Sequence, residues 1–133
     1  MINITKETSV SIDDVLHLYQ AVGWTNYTNQ PQMLEQSLTH SLAIYVARDG
    51  EEIVGLVRLV GDGFSSVFVQ DLIVLPSYQR QGIGSNLMKE ALADYKDAYQ
   101  IQLATEQTEK NLGFYRSLGF ETLSTYDCTG MIW

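Results

Sequence analysis

Residues 79 to 88 read QRQGIGSNLM, with Gly82 and Gly84 one residue apart in front of a helical apolar pattern. Glycines in that position let a backbone approach a phosphate closely. The first N–H groups of a helix lack intrahelical partners and carry the positive end of its dipole. A pyrophosphate could therefore sit against positions 82 and 84, with Arg80 adding a charge-assisted contact. The alternative is that both glycines only shape a tight turn, and a G-x-G alone does not decide between the two. Two phosphate motifs fail on the residues themselves. A Walker-type loop needs lysine and then serine or threonine after its last glycine, whereas Ser85 and Asn86 follow Gly84. A dinucleotide fingerprint needs a third glycine where Leu87 stands, and belongs to an early βαβ unit.

Asp71 is a second residue with chemistry in it. It lies between Val69 and Ile73 on a strand-like run, so a period of two places it among apolar neighbours on one face. A carboxylate there is costly unless paired, which leaves a functional base or a satisfied structural acceptor. Asp62 and Glu106 are further carboxylates that could take a proton. His17 and His40 fall in helical patterns away from the glycine motif, and the lone Cys128 lies well beyond it, where inert packing is the simpler role.

The elements that must position these residues follow from pattern. Residues 2 to 5 suggest a first strand. Ser11 with Asp14 resembles a capping box, after which Ile12, Val15, Leu16, Tyr19 and Val22 share a helical face. The stretch GWTN breaks that helix, and Pro31 suits the first turn of a second, striped by Met33, Leu34, Leu38 and Leu42. A hairpin turning at Asp49-Gly50 follows, then a turn at Gly61-Asp62-Gly63 and a third strand ending at Pro76. After the glycine motif, Ile83, Leu87, Met88, Ala91, Leu92 and Tyr95 have the spacing of an amphipathic helix. IQLAT reads as a strand, 109 to 118 as a helix, and the tail from Phe120 as one or two more strands. The chain thus predicts one α/β (α+β) domain over residues 1–133.

Composition narrows the function. With 133 residues the chain is long enough for one real core and too short for two ordinary domains. Sixteen acidic against eight basic residues leave a net charge of −8, which argues against nucleic acid as a partner. The same charge mildly favours a cationic acceptor, though solubility alone accounts for it. No apolar run approaches a membrane span, no secretory signal is visible, and one cysteine makes neither a disulfide framework nor a zinc site. A cytoplasmic location without membrane or metal is the expectation.

Two stretches together carry a resemblance. Gln79-Arg80-Gln81-Gly82-Ile83-Gly84 follows the strand-like DLIVLP, and NLGFYRSLGF occupies residues 111 to 120. In this order and about one strand apart, they resemble the two signatures of the GNAT superfamily, the acyl-coenzyme A-dependent N-acetyltransferases. The resemblance implies a central mixed, mainly antiparallel sheet flanked by about four helices. That sheet would be splayed at the cofactor site, between the VFVQDLIV and IQLAT strands.

Acetyl-CoA would be the cosubstrate, its pantetheine arm pairing with the backbone of Leu72, Ile73 and Val74. Gln79, Arg80, Gln81, Gly82, Ile83, Gly84 and Ser85 would make the pyrophosphate turn. Asn111 and Tyr115, four apart on one helical face, would meet the cofactor from the later helix. Tyr115 would be the general acid, unless its ring only packs beside Phe114 and Phe120. Asp71 stays a candidate base, alongside Asp62, Glu106 and a water chain. The segment GWTNYTNQP would shape the acceptor pocket through Trp24 and Tyr27 by stacking or cation–π contact, or Trp24 would be a core plug.

The implied activity is direct acetyl transfer to a primary amine, a small molecule by preference, in a ternary complex. A protein lysine or N-terminal acetyltransferase and a non-catalytic acyl-CoA-binding regulator are the alternatives. A homodimer is compatible with all three.

Overall fold

The computed structural model describes residues 1–133 as a five-stranded sheet in the linear order β1-β2-β3-β4-β5. The elements run β1 (Ile2–Glu7), α1 (Ile12–Ala21), α2 (Thr25–Thr28), α3 (Pro31–Thr39), β2 (Ala43–Asp49) and β3 (Glu52–Gly61). They continue with β4 (Ser66–Val74), α4 (Ile83–Asp94), β5 (Gln100–Leu103) and α5 (Glu109–Ser117). Three antiparallel pairings join β1 to β4, and β5 then joins β4 in parallel. This is the mixed, mainly antiparallel α/β sheet expected, and it does not close.

Local chemistry explains the helix starts. Ser11 caps α1, its hydroxyl accepting from the Asp13 N–H at 3.2 Å. Pro31 sits in the first turn of α3, where its missing N–H costs nothing. Thr108 caps α5 by accepting from the Asn111 N–H at 3.1 Å. There are five α-helices and not four, because the short α2 begins within the GWTN stretch, at Thr25.

The sheet separates two apolar clusters. Ile83, Leu87, Met88 and Ala91 of α4 pack on Tyr45, Val57, Leu59, Val67 and Val69. On the opposite face Val15, Leu18 and Tyr19 of α1 and Leu34 and Leu38 of α3 pack on Ile44, Val46, Leu56 and Ile73. β2 lies between the two, its buried residues Ala43 to Ala47 dividing alternately between the clusters.

Two expectations need correction. Asp71 does not share a face with Val69. Arg58 pairs with Asp71 while Leu59 pairs with Val69, so Gln70 is an extra, bulged residue on β4. The bulge shifts the alternation, leaving Val67 and Val69 on the α4 side and Asp71 and Ile73 on the α1 side. The tail is also not a strand. Residues Leu123–Tyr126 form a 3₁₀ turn, and the segment beyond it joins no sheet.

Candidate active site

The parallel pairing of β4 with β5 covers only Ser66 to Val69, matched with Gln100 to Leu103. On its other edge β4 stays paired with β3 as far as Val74, opposite Gly55. From the bulge at Gln70 onward, β4 therefore presents one edge with no strand beside it. Leu72, Ile73 and Val74 lie on that stretch, the central one buried and its neighbours half-buried. An unpaired edge of this kind accepts an extended amide-bearing chain as an added strand.

At the end of β4 a 3₁₀ turn over Pro76–Tyr78 leads to the glycine motif. The Gln79 side-chain amide donates to the Val74 carbonyl at 3.1 Å and so ties the turn back to the strand. Arg80 and Gly82 both have left-handed backbones, with φ of 65° and 80°. Arginine bears a Cβ cost there that glycine avoids. None of the N–H groups from Arg80 to Ser85 donates to a backbone acceptor; the first to do so is Asn86, to Gly82 at 3.0 Å. These donors gather at the positive end of the twelve-residue α4, the arrangement that receives a phosphate.

The two glycines differ in purpose. A Cβ on Gly82 would meet no protein atom within 4 Å, so the bare position leaves open the space in front of the N–H groups. A Cβ on Gly84 would lie 3.6 Å from Phe114 and 3.7 Å from Val74. Gly84 lets α5 approach the first turn of α4.

The α5 helix closes the other side of the gap. Tyr115 stacks edge-on against Phe114 at 5.0 Å and Phe120 at 6.0 Å. Burial raises its phenol above the ordinary value, so it stays protonated through neutral pH. Its hydroxyl has no hydrogen-bond partner in the protein and is not sealed from solvent. Asn111, one turn earlier, donates from its side chain to the Thr105 hydroxyl at 3.1 Å and the Glu106 carbonyl at 3.4 Å, holding the loop after β5.

Asp71 is in a different situation. It is 2% exposed, and its carboxylate accepts from Arg58 Nε at 2.7 Å, Tyr19 at 2.8 Å and Tyr27 at 2.9 Å. Arg58 donates in addition to the Tyr27 oxygen at 3.1 Å and the Ser41 hydroxyl at 3.2 Å. Burial alone would lower the Arg58 guanidinium, but the adjacent Asp71 outweighs it and holds the group above its ordinary value. Desolvation, and then Asp71 itself, push the Tyr19 and Tyr27 phenols up.

Of the two readings of Asp71, this geometry supports the satisfied structural acceptor. The network ties β3 and β4 to α1, α2 and the end of α3. Arg58 was missed in the sequence, although a lone arginine inside the apolar run EIVGLVRLVG was a usable signal.

Tyr27 is engaged in the same network and is 8% exposed, so its hydroxyl is not free for an acceptor. Trp24 is half-buried, with its ring 6.1 Å from Tyr19 and 6.3 Å from Tyr27. Asp62 serves its own turn, accepting from the N–H groups of Phe64 and Ser65 at 2.7 Å each, and the Ser65 hydroxyl with these bonds holds it well below the usual carboxylate range. Glu106 is exposed on the loop that Asn111 holds.

A mixed sheet that opens midway along β4, with unpaired helix-entry N–H groups at the far end of the opening, defines the acyl-coenzyme A-dependent acetyltransferase fold. Residues 40–122 match the Acetyltransferase (GNAT) domain family, and the chain belongs to it. A solved structure of an acetyltransferase, GNAT family protein from Streptococcus pneumoniae TIGR4, is 75% identical over all of this chain and 97% of its own, with a TM-score of 0.93. Serotonin N-acetyltransferase 2, chloroplastic, from Oryza sativa subsp. japonica is 27% identical over 85% of this chain. The chain spans only 58% of that relative's length. A GNAT family acetyltransferase from Elizabethkingia anophelis, solved with acetyl-CoA bound, shares the fold at a TM-score of 0.67 and 22% identity, covering 99% of this chain and 88% of its own.

Proposed function

We propose that the protein transfers an acetyl group from acetyl-CoA to a small primary amine by direct attack in a ternary complex. The single observation that carries this is the unpaired β4 edge over Leu72 to Val74, continued by the free N–H groups of Arg80 to Ser85. The edge would receive the pantetheine amides, and the turn with Arg80 the pyrophosphate. Bound there, acetyl-CoA supplies the activated acetyl thioester.

The chain's own residues do the rest. A backbone N–H near Ile73 faces the developing oxyanion, a donor worth about 2.7–4 kcal/mol where one has been removed from other enzymes. Tyr115 gives its proton to the departing thiolate, since phenol and thiol pKa values near 10 and 8.5 are close enough for useful transfer. Asp71 and Asp62 are both committed to internal donors, which leaves Glu106 or a water chain to take the ammonium proton of the acceptor. Trp24 walls the acceptor side above Tyr19 and Tyr27. The net charge of −8 favours the approach of a cation.

Free thiol release, measured across a panel of small amines, lysine-bearing peptides and no acceptor, tests this function. Amine-dependent release is expected. Turnover with peptides alone would shift the acceptor to protein, and tight cofactor binding without any turnover would make the protein an acyl-CoA-binding regulator.

A further inference from the structure

The turn between β4 and α4 has a shape that its own residues do not favour. Arg80 holds a left-handed φ of 65° without being a glycine, and the N–H groups from Arg80 to Ser85 have no backbone acceptor. Left to itself, such a segment relaxes, and a ligand that needs it must order it again on binding. Whatever holds the turn beforehand therefore contributes to affinity.

Few bonds do so. The Tyr78 and Gln79 N–H groups donate to the Leu75 and Pro76 carbonyls at 2.8 Å and 3.3 Å, and the Gln79 side chain to Val74 at 3.1 Å, all within five positions. A single hydrogen bond connects residues 76–85 to a distant part of the fold: the Tyr78 hydroxyl donates to Asp49 Oδ2 at 2.7 Å. The Tyr78 ring is half-buried against the cluster on the α4 side of the sheet. Asp49 is fixed in turn, paired with Ile2 of β1 and Glu52 of β3. It opens the hairpin turn with Gly50, a place where asparagine serves as well. What aspartate adds is charge. The bond holds the Asp49 carboxyl below its ordinary value and the Tyr78 phenol above its own, so an ionised acceptor faces a protonated donor at neutral pH.

We propose that Asp49 and Tyr78 are positioning residues for the cofactor, holding the glycine turn in its phosphate-receiving shape before coenzyme A arrives. The inference rests on the cofactor reading of that turn. Neither residue touches the reacting atoms. Their contribution goes to the pyrophosphate end of the cofactor alone, because the β4 edge that would take the pantetheine arm is held by β3 independently of the turn.

The test is calorimetry with coenzyme A, and with pantetheine, which lacks the pyrophosphate, titrated as a competitor. Tyr78→Phe keeps the ring and should weaken coenzyme A about tenfold, the lower end of what one hydrogen bond to a charged group contributes. Pantetheine should bind it as it binds the parent. Asp49→Asn keeps the turn and an acceptor oxygen but loses the charge, so its effect should be intermediate. In the Tyr78→Phe background it should have none, since the bond is already gone. Equal weakening of both ligands, additive effects of the two substitutions, or an unchanged coenzyme A affinity in Tyr78→Phe would each overturn the proposal. If Tyr78→Phe does not fold, Asp49→Asn decides with the same two ligands. A parent chain that binds no coenzyme A would overturn the cofactor reading of the turn and this inference with it. Parent binding that Tyr78→Phe leaves unchanged would overturn the inference alone.

Discussion

The Arg58–Asp71 network and the turn from Gln79 to Ser85 are both polar features attached to β4, and they are opposite in kind. In the first, donors and acceptors are matched inside the protein: a buried carboxylate takes three hydrogen bonds, and its arginine partner reaches three further oxygens, those of Tyr27, Ser41 and the Ser37 carbonyl. In the second, six successive N–H groups have no backbone acceptor and two residues hold left-handed backbones. A polar group with its partners supplied by the fold is spent on structure, because another partner would have to displace one already made. A group left without partners at the surface is available to a ligand. By this criterion the Tyr115 hydroxyl belongs with the turn, and Asp71 does not.

The largest expected effect is on the unpartnered side. Tyr115→Phe keeps the ring contacts with Phe114 and Phe120 and should lower kcat by about 10²–10⁴, with cofactor affinity and melting temperature nearly unchanged. Single-turnover kinetics checks this: an equally fast chemical step in the variant would remove Tyr115 from the chemistry. Because burial raises the phenol, its acid form persists as pH rises, and the rate limb it controls should fall only at a pH above the ordinary phenol range.

On the matched side the loss should appear in stability. Asp71→Ala leaves Arg58 buried without its carboxylate and should cost about 3–5 kcal/mol in urea unfolding. Arg58→Met with Asp71→Leu removes both charges and should recover much of that loss. A folded Asp71→Asn variant with full stability and no turnover would instead return Asp71 to the role of base.

Gly82→Val forces a β-branched residue into a left-handed backbone, at about 1–2 kcal/mol, and puts a side chain into the open space before the N–H groups. Coenzyme A affinity by calorimetry should fall tenfold or more, and an unchanged value in a folded variant would remove the turn from the cofactor site. Gly84→Val should act differently, by pressing on Phe114 and Val74. The smallest effect is assigned to Trp24→Ala. It should raise the acceptor KM by an amount typical of a cation–π contact, about 0.5–1 kcal/mol, while sparing cofactor affinity. Equal loss of both, with a lower melting temperature, would make Trp24 a core residue joined to Tyr19 and Tyr27.

Much of this was legible in the residues alone, because it is local. The glycine turn, NLGFY, the Asp49-Gly50 hairpin and the caps at Ser11 and Pro31 are each written in a few contiguous positions, where chain sterics and hydrogen bonding act over short range. Those stretches determined the element order up to α5 apart from the short α2, the placing of the glycine turn after β4, and the helix that carries Tyr115. What the tertiary structure decided depends on pairing between distant residues. The bulge at Gln70 exists only in the register of β4 against β3. By shifting the alternation, it carried Asp71 away from Val69 and onto Arg58, thirteen positions back, and onto Tyr19 and Tyr27 from two helices. The tail shows the same limit in reverse. Its alternation suits a strand, but a strand needs a neighbour, and the tail pairs with none of the five.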